Sequence, residues 1–409
     1  VRNDAAHAPG MPVVAVVGDG QLARMMQTEA IELGASVRLL AGADDASAAQ
    51  VCADVALGDY RDLADLRAVA AGADAVTFDH EHVPNEHLDA LIADGVNVQP
   101  RPHALIHAQD KLVQRTRLSE LGVPVPDFAA VDSVADALSF FERVDGHVCL
   151  KARRGGYDGK GVWFPDTAEE LADLVEDLLG RGVPLMAERK IAFERELSLL
   201  VARRPSGEVR AWPVTESVQA GGVCVEAVAP APSVSSEEAD YLLSLAAAVA
   251  TDLDVTGVLA VEMFAYRDDA GHAAFAVNEL AMRPHNTGHW TQDGSVTSQF
   301  EQHLRAVLDL PLGDTAPTAA VTVMANTLGA PEQPDLGVYE RCRQVWQRYP
   351  QAKIHLYGKT YRAGRKLGHV NLSGDDPERT RVAARRAADF LVTGVWPDGW
   401  TDSSTKEQA

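Results

Sequence analysis

Residues 148–161 read Val-Cys-Leu-Lys-Ala-Arg-Arg-Gly-Gly-Tyr-Asp-Gly-Lys-Gly. A short apolar strand carrying Lys151 runs into a loop where four glycines stand among the nine residues 153–161, interleaved with Arg153, Arg154 and Lys160. Backbone amides opened by glycine, together with convergent positive charge, suit a flap that wraps polyphosphate. The spacing is not G-x-x-x-x-G-K-[ST], which excludes a Walker loop. A long hairpin loop with solvated arginines accounts for the glycines equally well. It does not account for Lys151, which ends the strand and points into the same space.

Outward from this loop the pattern is mixed. A helix is expected over 111–122, stopped by Gly122-Val123-Pro124, and another over 167–180. Strands follow at 184–188, 196–203 and 209–214, then a helix near 236–252. The apolar runs 258–266 and 273–280 are joined through Asp268-Asp269-Ala270-Gly271, which reads as a hairpin. Pairing them about that turn sets Glu262 and Glu279 nearly opposite each other. Like charges across a ladder destabilise it unless something neutralises them, and a hard cation such as Mg2+ shared with phosphate oxygens is the natural remedy. Two carboxylates splayed into water are the alternative, opposed by neighbours such as Val261, Met263, Phe264 and Val277. Arg283-Pro284-His285-Asn286-Thr287-Gly288-His289-Trp290 comes directly after. Two histidines, an arginine and an asparagine in a Gly/Pro loop make a poor solvent loop and a good anion site.

Before residue 110 the chain reads as a parallel α/β layer: strand 13–17, a glycine turn, a helix to Gly34, and strands 37–40 and 75–78. The turn Gly18-Asp19-Gly20-Gln21-Leu22-Ala23 fits G-x-G-x-x-A, with Asp44 or Asp45 some twenty residues on. That admits a dinucleotide-binding oxidoreductase, although a tight turn packing helix on strand explains the glycines without a ligand. Asp79-His80-Glu81-His82 ends the 75–78 strand and offers carboxylates to ribose hydroxyls, or caps a helix. Past Gly313 a small β-rich domain with a closing helix is expected. It carries Lys359, Arg362, Arg365 and Lys366 in one glycine-bounded hairpin. Four cations in a chain of net charge -22 fit a phosphate monoester.

That net charge, from 37 basic and 59 acidic residues among 409, argues against nucleic acid or an anionic membrane surface as partner. Cys52, Cys149, Cys224 and Cys342 are scattered singly, without metal-ligand spacing, so a reducing, cytoplasmic setting is expected. No apolar stretch approaches the ~20 residues of a membrane span.

The motifs at 148–161, Glu188 with Glu196-Leu197-Ser198, 278–290, 297–306 and 364–369 resemble the 5-(carboxyamino)imidazole ribonucleotide synthases of the ATP-grasp superfamily. The resemblance covers almost the whole chain, and G-G-Y-D-G-K-G with R-P-H-N-x-G-H-W is specific to that family. It implies an α/β and α+β fold: a pre-ATP-grasp α/β domain over 11–110, a two-lobed ATP-grasp domain over 111–312, and a small C-terminal β-rich domain over 313–400. It implies a homodimer that uses ATP, Mg2+ (or Mn2+ in its place) and bicarbonate to carboxylate aminoimidazole ribonucleotide through carboxyphosphate, in purine synthesis. Lys111 and Lys151 would contact the ATP phosphates, beneath Gly156, Tyr157, Asp158, Gly159, Lys160, Gly161 and Val162. Glu188, Arg189, Lys190 and Ile191 would line the adenine pocket, their backbone reading the base edge. Glu196 would take ribose hydroxyls, and Gln219, Asn278 and Glu279 fall on the ATP side. Glu262 and Glu279 would hold the metal. Tyr157, Asp158 and Lys160 would meet the imidazole nucleotide or nascent carboxyphosphate, and Arg283 and His285 the bicarbonate-derived group. Lys359, Arg365 and Lys366 would take the nucleotide's phosphate, with Gln21, Asp79, Glu81 and Asn286 completing the substrate side.

Several positions depart from the family pattern. Asp19 stands where glycine is common and places a carboxylate beside an expected phosphate site. Asp79-His80-Glu81-His82 replaces E-F-E-N, Gln219 a frequent histidine, Lys111 an arginine and Met282 a proline. Ala281 stands where many ATP-grasp enzymes carry a metal-binding asparagine, leaving Asn286 or water to complete the shell. A formate-dependent glycinamide ribonucleotide transformylase would leave R-P-H-N-T-G-H-W unexplained, and an oxidoreductase would leave everything after residue 150. A silent nucleotide-binding regulator would be expected to lack one of Lys151, Glu262 and Glu279, and all three are present.

Overall fold

The computed structural model describes residues 6–156 and 160–401. The first layer comprises β1 (Val13–Val17), α1 (Gln21–Leu33), β2 (Ser36–Ala41), β3 (Asp54–Leu57), α2 (Leu63–Ala70), β4 (Ala75–Phe78), α3 (Asn85–Ala93) and α4 (Pro102–Gln109). Its strands pair in parallel in the order β3-β2-β1-β4. β1 is apolar throughout because both its faces are covered. Val14 and Val16 pack with Leu22 and Met26 of α1, whereas Ala15 and Val17 pack with Leu66 and Val69 of α2. The carboxyl ends of β1 and β4 therefore open together, bringing the 18–20 turn beside Asp79, as the ligand crevice of an open α/β sheet requires.

A small lobe follows: α5 (Lys111–Glu120), β5 (Phe128–Val131), α6 (Val134–Arg143), β6 (Val148–Ala152), β7 (Val162–Trp163), α7 (Ala168–Gly180) and β8 (Leu185–Arg189). Its antiparallel sheet runs β5-β8-β6-β7. Phe140 of α6 and Leu171, Val175 and Leu178 of α7 share one core with Leu150 and Ala187.

The large sheet is built from β9 (Phe193–Arg203), β10 (Val209–Ala211), β11 (Thr215–Ala220), β12 (Val223–Ala229), β13 (Gly257–Arg267), β14 (Ala273–Ala281), β15 (Val321–Leu328), β16 (Lys353–Leu356) and β17 (Lys366–Gly374). Around it lie α8 (Ser236–Asp252), α9 (Thr291–Gly294), α10 (Gln299–Val307), α11 (Val338–Arg348) and α12 (Pro377–Thr393). The order is β14-β13-β9-β11-β12-β15-β17-β16, with β10 on β9. α8 starts in a Ser235–Glu238 capping box and seats Leu242, Ala246 and Val249 against Leu197, Leu199, Leu259 and Val261.

Two expectations change. The strand expected over 209–214 stops at Ala211, since Pro213 has no N–H to give a ladder and the Trp212 indole turns inward to donate to Thr297 O at 3.0 Å. The β11–β12 hairpin was not anticipated, although Gly221-Gly222 between two strand-like runs is its signature. Both glycines have positive φ, +59° and +78°. The C-terminal segment has the expected strands and closing helix, and β15 pairs with β12, so one sheet runs continuously past Gly313. Among the described residues no helix is long and apolar enough to cross a membrane.

Candidate functional site

The phosphate end is built on β6. Lys151 is buried, its Nζ 2.7 Å from Glu188 Oε2 and 3.4 Å from Asn278 Oδ1. Arg115 of α5, also buried, places Nε 2.7 Å from Glu188 Oε1 and donates to the Asn278 carbonyl. Burial opposes ionisation of Glu188, but the charges of Arg115 and Lys151 outweigh it and hold its pKa below the ordinary carboxylate value. The triad ties the small lobe to β14. Arg115 was not anticipated; an arginine one helical turn after Lys111 was its only trace in the sequence.

The flap begins from a fixed base. Asp110 caps α5 through Leu112 N and Val113 N, and takes Arg153 at 2.9 and 3.2 Å and Arg154 at 3.1 Å. Two of the three cations expected to wrap polyphosphate are thus engaged by Asp110. At the far end Ala152 N donates to Gly161 O at 2.8 Å and Lys151 pairs with Val162, which sets Gly161 and Val162 beside the lysine. Tyr157, Asp158 and Gly159 lie outside the described residues. Glu188 is a ladder residue paired with both β5 and β6, and its carboxylate meets the two cations. The Arg189 and Lys190 N–H groups donate to Asp127 O and His147 O.

The β13–β14 pairing sets Glu262 opposite Glu279, with an irregularity in register just after Glu262. Burial first, then the Glu279 and Glu196 charges, push Glu262 up to about 8. Burial also raises Glu196, across the ladder on β9, to about 7. Three carboxylates in one field suit a hard divalent cation. Among the described residues no three His, Cys, Asp or Glu side chains gather closely enough to hold a metal by themselves. A cation here would need two carboxylates plus oxygens from phosphate or water, the arrangement Mg2+ favours.

The 283–290 loop lies alongside. His285 Nε2 stands 3.5 Å from Glu262 Oε1, and Nδ1 lies 2.8 Å from Thr287 Oγ1. Burial, then Arg283 and Lys366, lower His285 to about 3, so the ring is neutral. Arg283 Nε is paired with Glu81 Oε2 at 2.9 Å, and Glu81 also accepts from Met282 N. The Asn286 amide is sheltered beside the Cys224 thiol without a full hydrogen-bond partner among the described residues. Gln219 sits at a register shift of β11 against β12.

The first glycine turn meets an acidic side chain of the protein at the start of α1. Asp79 Oδ2 takes the Gly20 N–H at 2.6 Å, so the α1 terminus already holds a carboxylate. Asp19 instead accepts from Gly42 N. Both carboxylates, Asp19 and Asp79, thus stand where a dinucleotide reading would put a phosphate. Burial pushes Asp79 up to about 7, opposed by the Gly20 bond. A Cβ on Gly18, where φ is +111°, would lie 1.8 Å from Asp79 Oδ1. Gly18→Ala is therefore expected to destabilise the chain by about 2–4 kcal/mol, read by denaturant unfolding. An unchanged midpoint would mean the carboxylate moves aside freely. His80 packs edge-on against Tyr60 and stacks on His82, at 4.6 and 5.2 Å between ring centroids.

The C-terminal cations reach this crevice. Lys359 Nζ bonds Gln21 Oε1 at 2.5 Å, and Tyr357 O and Gly358 O accept from Ser47 Oγ and Gln50 Nε2 of the first layer. Burial first, then the Arg365 charge, lowers Lys359 to about 8. Arg365 is half-buried and donates to Thr360.

Family models described as a ribonucleotide synthetase pre-ATP-grasp domain, an ATP-grasp domain and a phosphoribosylaminoimidazole carboxylase C-terminal domain match residues 11–109, 116–300 and 322–383. The chain is 64% identical over 406 residues to the N5-carboxyaminoimidazole ribonucleotide synthase of Corynebacterium ammoniagenes, covering 98% of this chain and 96% of that one. It belongs to the N5-carboxyaminoimidazole ribonucleotide synthases. The Mycobacterium tuberculosis synthase is 51% identical over 398 residues, with 97% and 92% of the two chains covered. The Thermus thermophilus synthetase structure superposes with a TM-score of 0.82 at 35% identity, covering 95% of this chain and 100% of that one. The Aspergillus clavatus synthase in complex with ADP and 5-aminoimidazole ribonucleotide gives 0.83 at 29% identity, over 93% and 98%. As a member of this family the chain is an ATP-grasp ligase of purine biosynthesis.

Proposed function

We infer that this synthase carboxylates the exocyclic amine of 5-aminoimidazole ribonucleotide with bicarbonate, at the cost of ATP. A bicarbonate oxygen attacks the γ-phosphorus and ADP leaves. The amine then attacks the carbonyl carbon of carboxyphosphate, or of CO2 released from it, and phosphate and a proton depart. The observation that carries the reading is the Lys359–Gln21 contact. It brings a cation cluster fit for a phosphate monoester to the crevice beside Arg283, His285 and the carboxylate pair.

In this reading Lys151 and Lys111 hold the ATP phosphates with Asn278, and Gly156, Tyr157, Asp158, Gly159, Lys160, Gly161 and Val162 cover them. With the Arg189 and Lys190 N–H groups engaged, the base edge falls to Ile191 and the carbonyls near it. Glu196 takes the ribose and Gln219 adds an ATP-side contact. Glu262 and Glu279 would hold Mg2+ (or Mn2+), which when bound neutralises charge on the β- and γ-phosphate oxygens. His285 and Arg283 orient the bicarbonate-derived group. Lys359, Arg365 and Lys366 bind the acceptor phosphate, while Gln21, Asp79, Glu81 and Asn286 enclose its sugar and base. We also assign the chain to the cytoplasm as a homodimer. Four free thiols favour a reducing compartment, and a monomer mass in sedimentation at micromolar concentration would overturn the dimer.

The deciding assay is ADP release with bicarbonate. Stimulation by aminoimidazole ribonucleotide, and none by formate plus glycinamide ribonucleotide, is expected; equal rates would overturn the reading. Arg365→Ala should raise KM for the imidazole nucleotide about tenfold or more, with KM for ATP nearly unchanged. Arg365→Lys should also be impaired, because lysine lacks the planar fork. Equal loss for both substrates would instead mark a folding defect.

A further inference from the structure

His285 is held by a buried chain of hydroxyls that the reaction scheme leaves without a task. Ser198 Oγ lies 2.6 Å from Thr287 Oγ1, and Thr287 Oγ1 lies 2.8 Å from His285 Nδ1. Ser198 and Thr287 are fully buried, on β9 and in the 283–290 loop. The loop itself is clamped by Gln299, whose Oε1 accepts from His285 N and whose Nε2 donates to His285 O, each at 2.8 Å. A Cβ on Gly288 would lie 2.4 Å from that Oε1, so the close approach of loop and α10 requires glycine there.

The direction of the hydroxyl chain follows from donor counting. Each hydroxyl has one proton to give, and a buried donor left without an acceptor is destabilising. If Ser198 donates to Thr287, then Thr287 donates to Nδ1 and both protons are placed. In the opposite direction Nδ1–H donates to Thr287, Thr287 donates to Ser198, and the Ser198 proton is stranded. The first arrangement leaves the imidazole proton on Nε2, facing Glu262 Oε1 at 3.5 Å.

We propose that Thr287, oriented by Ser198, is a positioning residue that fixes the Nε2–H tautomer of His285 and aims this donor at the carboxylate pair and the oxygens that react beside it. The proposal rests on the reading that His285 faces the bicarbonate-derived group. In the other tautomer Nε2 would present a lone pair on this side and the donor would be lost, as when an orienting partner is removed from a catalytic histidine.

Thr287→Val keeps size and removes the proton; Thr287→Ser keeps the proton. Nitrogen-15 spectra of histidine-labelled protein at neutral pH, with His285 assigned by its loss in His285→Gln, read the tautomer directly. The wild type and Thr287→Ser should show a pyridine-like Nδ1 and a pyrrole-like Nε2. Thr287→Val should lose that signature, with kcat down about 10- to 100-fold and KM for ATP within twofold. Ser198→Ala, which should fold whether or not Thr287→Val does, leaves Nδ1 as the acceptor of the Thr287 proton and should keep the wild-type signature. A protonated Nδ1 in the wild type or in Ser198→Ala overturns the proposal, as does an unchanged spectrum in Thr287→Val. Absence of ADP release stimulated by aminoimidazole ribonucleotide would overturn the functional reading instead, leaving the tautomer to be judged by the spectra alone.

Discussion

Glu262→Gln is expected to lower kcat for ADP formation by roughly 100- to 1,000-fold while making the metal-free protein more stable. Burial and the neighbouring Glu279 and Glu196 raise the Glu262 pKa from 4.5 to about 8. Between those values the folded chain keeps a proton that the unfolded chain has released, so this group's contribution to stability falls as pH rises through that window. Glutamine removes the group and with it the dependence. In EDTA the variant and the wild type should match near pH 4.5. They should diverge steadily to pH 8, where the variant is more stable by up to about 4 kcal/mol. Glu279→Gln should lower turnover similarly, since it removes the facing ligand charge. Thermal midpoints in EDTA at several pH values, with turnover in MgATP, check both halves. A stability gap that narrows with rising pH would mean that Glu262 is paired with a cation of the protein, and near-normal turnover would remove the pair from the metal site.

Glu188→Ala and Lys151→Met should separate stability from chemistry within one triad. Removing Glu188 leaves Arg115 and Lys151 enclosed without their anion, and breaking a buried pair in this way costs about 3–5 kcal/mol. Removing Lys151 leaves the Arg115–Glu188 pair at 2.7 Å in place, so stability should fall by only about 1 kcal/mol. Its kcat/KM for ATP should drop about 100-fold or more, because the phosphate-facing charge is gone. Denaturant unfolding of both variants with ATP kinetics on the folded ones is the test. Equal destabilisation, or Lys151→Met with full turnover, would show that Lys151 is only a structural partner of Glu188.

The parallel layer, the 258–280 hairpin and the opposed Glu262 and Glu279 were legible in the residues themselves. Each depends on local signals: an apolar run covered on both faces, a glycine turn of defined geometry, a period of two along paired strands. Motif spacing likewise placed Lys151, Arg283, His285, Lys359 and Arg365 on loops or strand ends, and the fold sets Lys151 beside Asn278, His285 beside Glu262 and Lys359 beside Gln21. What the linear order could not determine was which charges these groups meet. Asp79 takes the Gly20 N–H of the first glycine turn, Asp110 takes two arginines of the flap, Glu81 holds Arg283, and Glu188 binds Arg115. The continuity of the large sheet past Gly313 and the Ser198–Thr287–His285 chain belong to the same class. Backbone preference is set by a few neighbouring residues, so sequence carries it. A hydrogen bond or ion pair between residues 89 positions apart, as between Ser198 and Thr287, exists only once packing has brought both groups into the same small volume and excluded water from it.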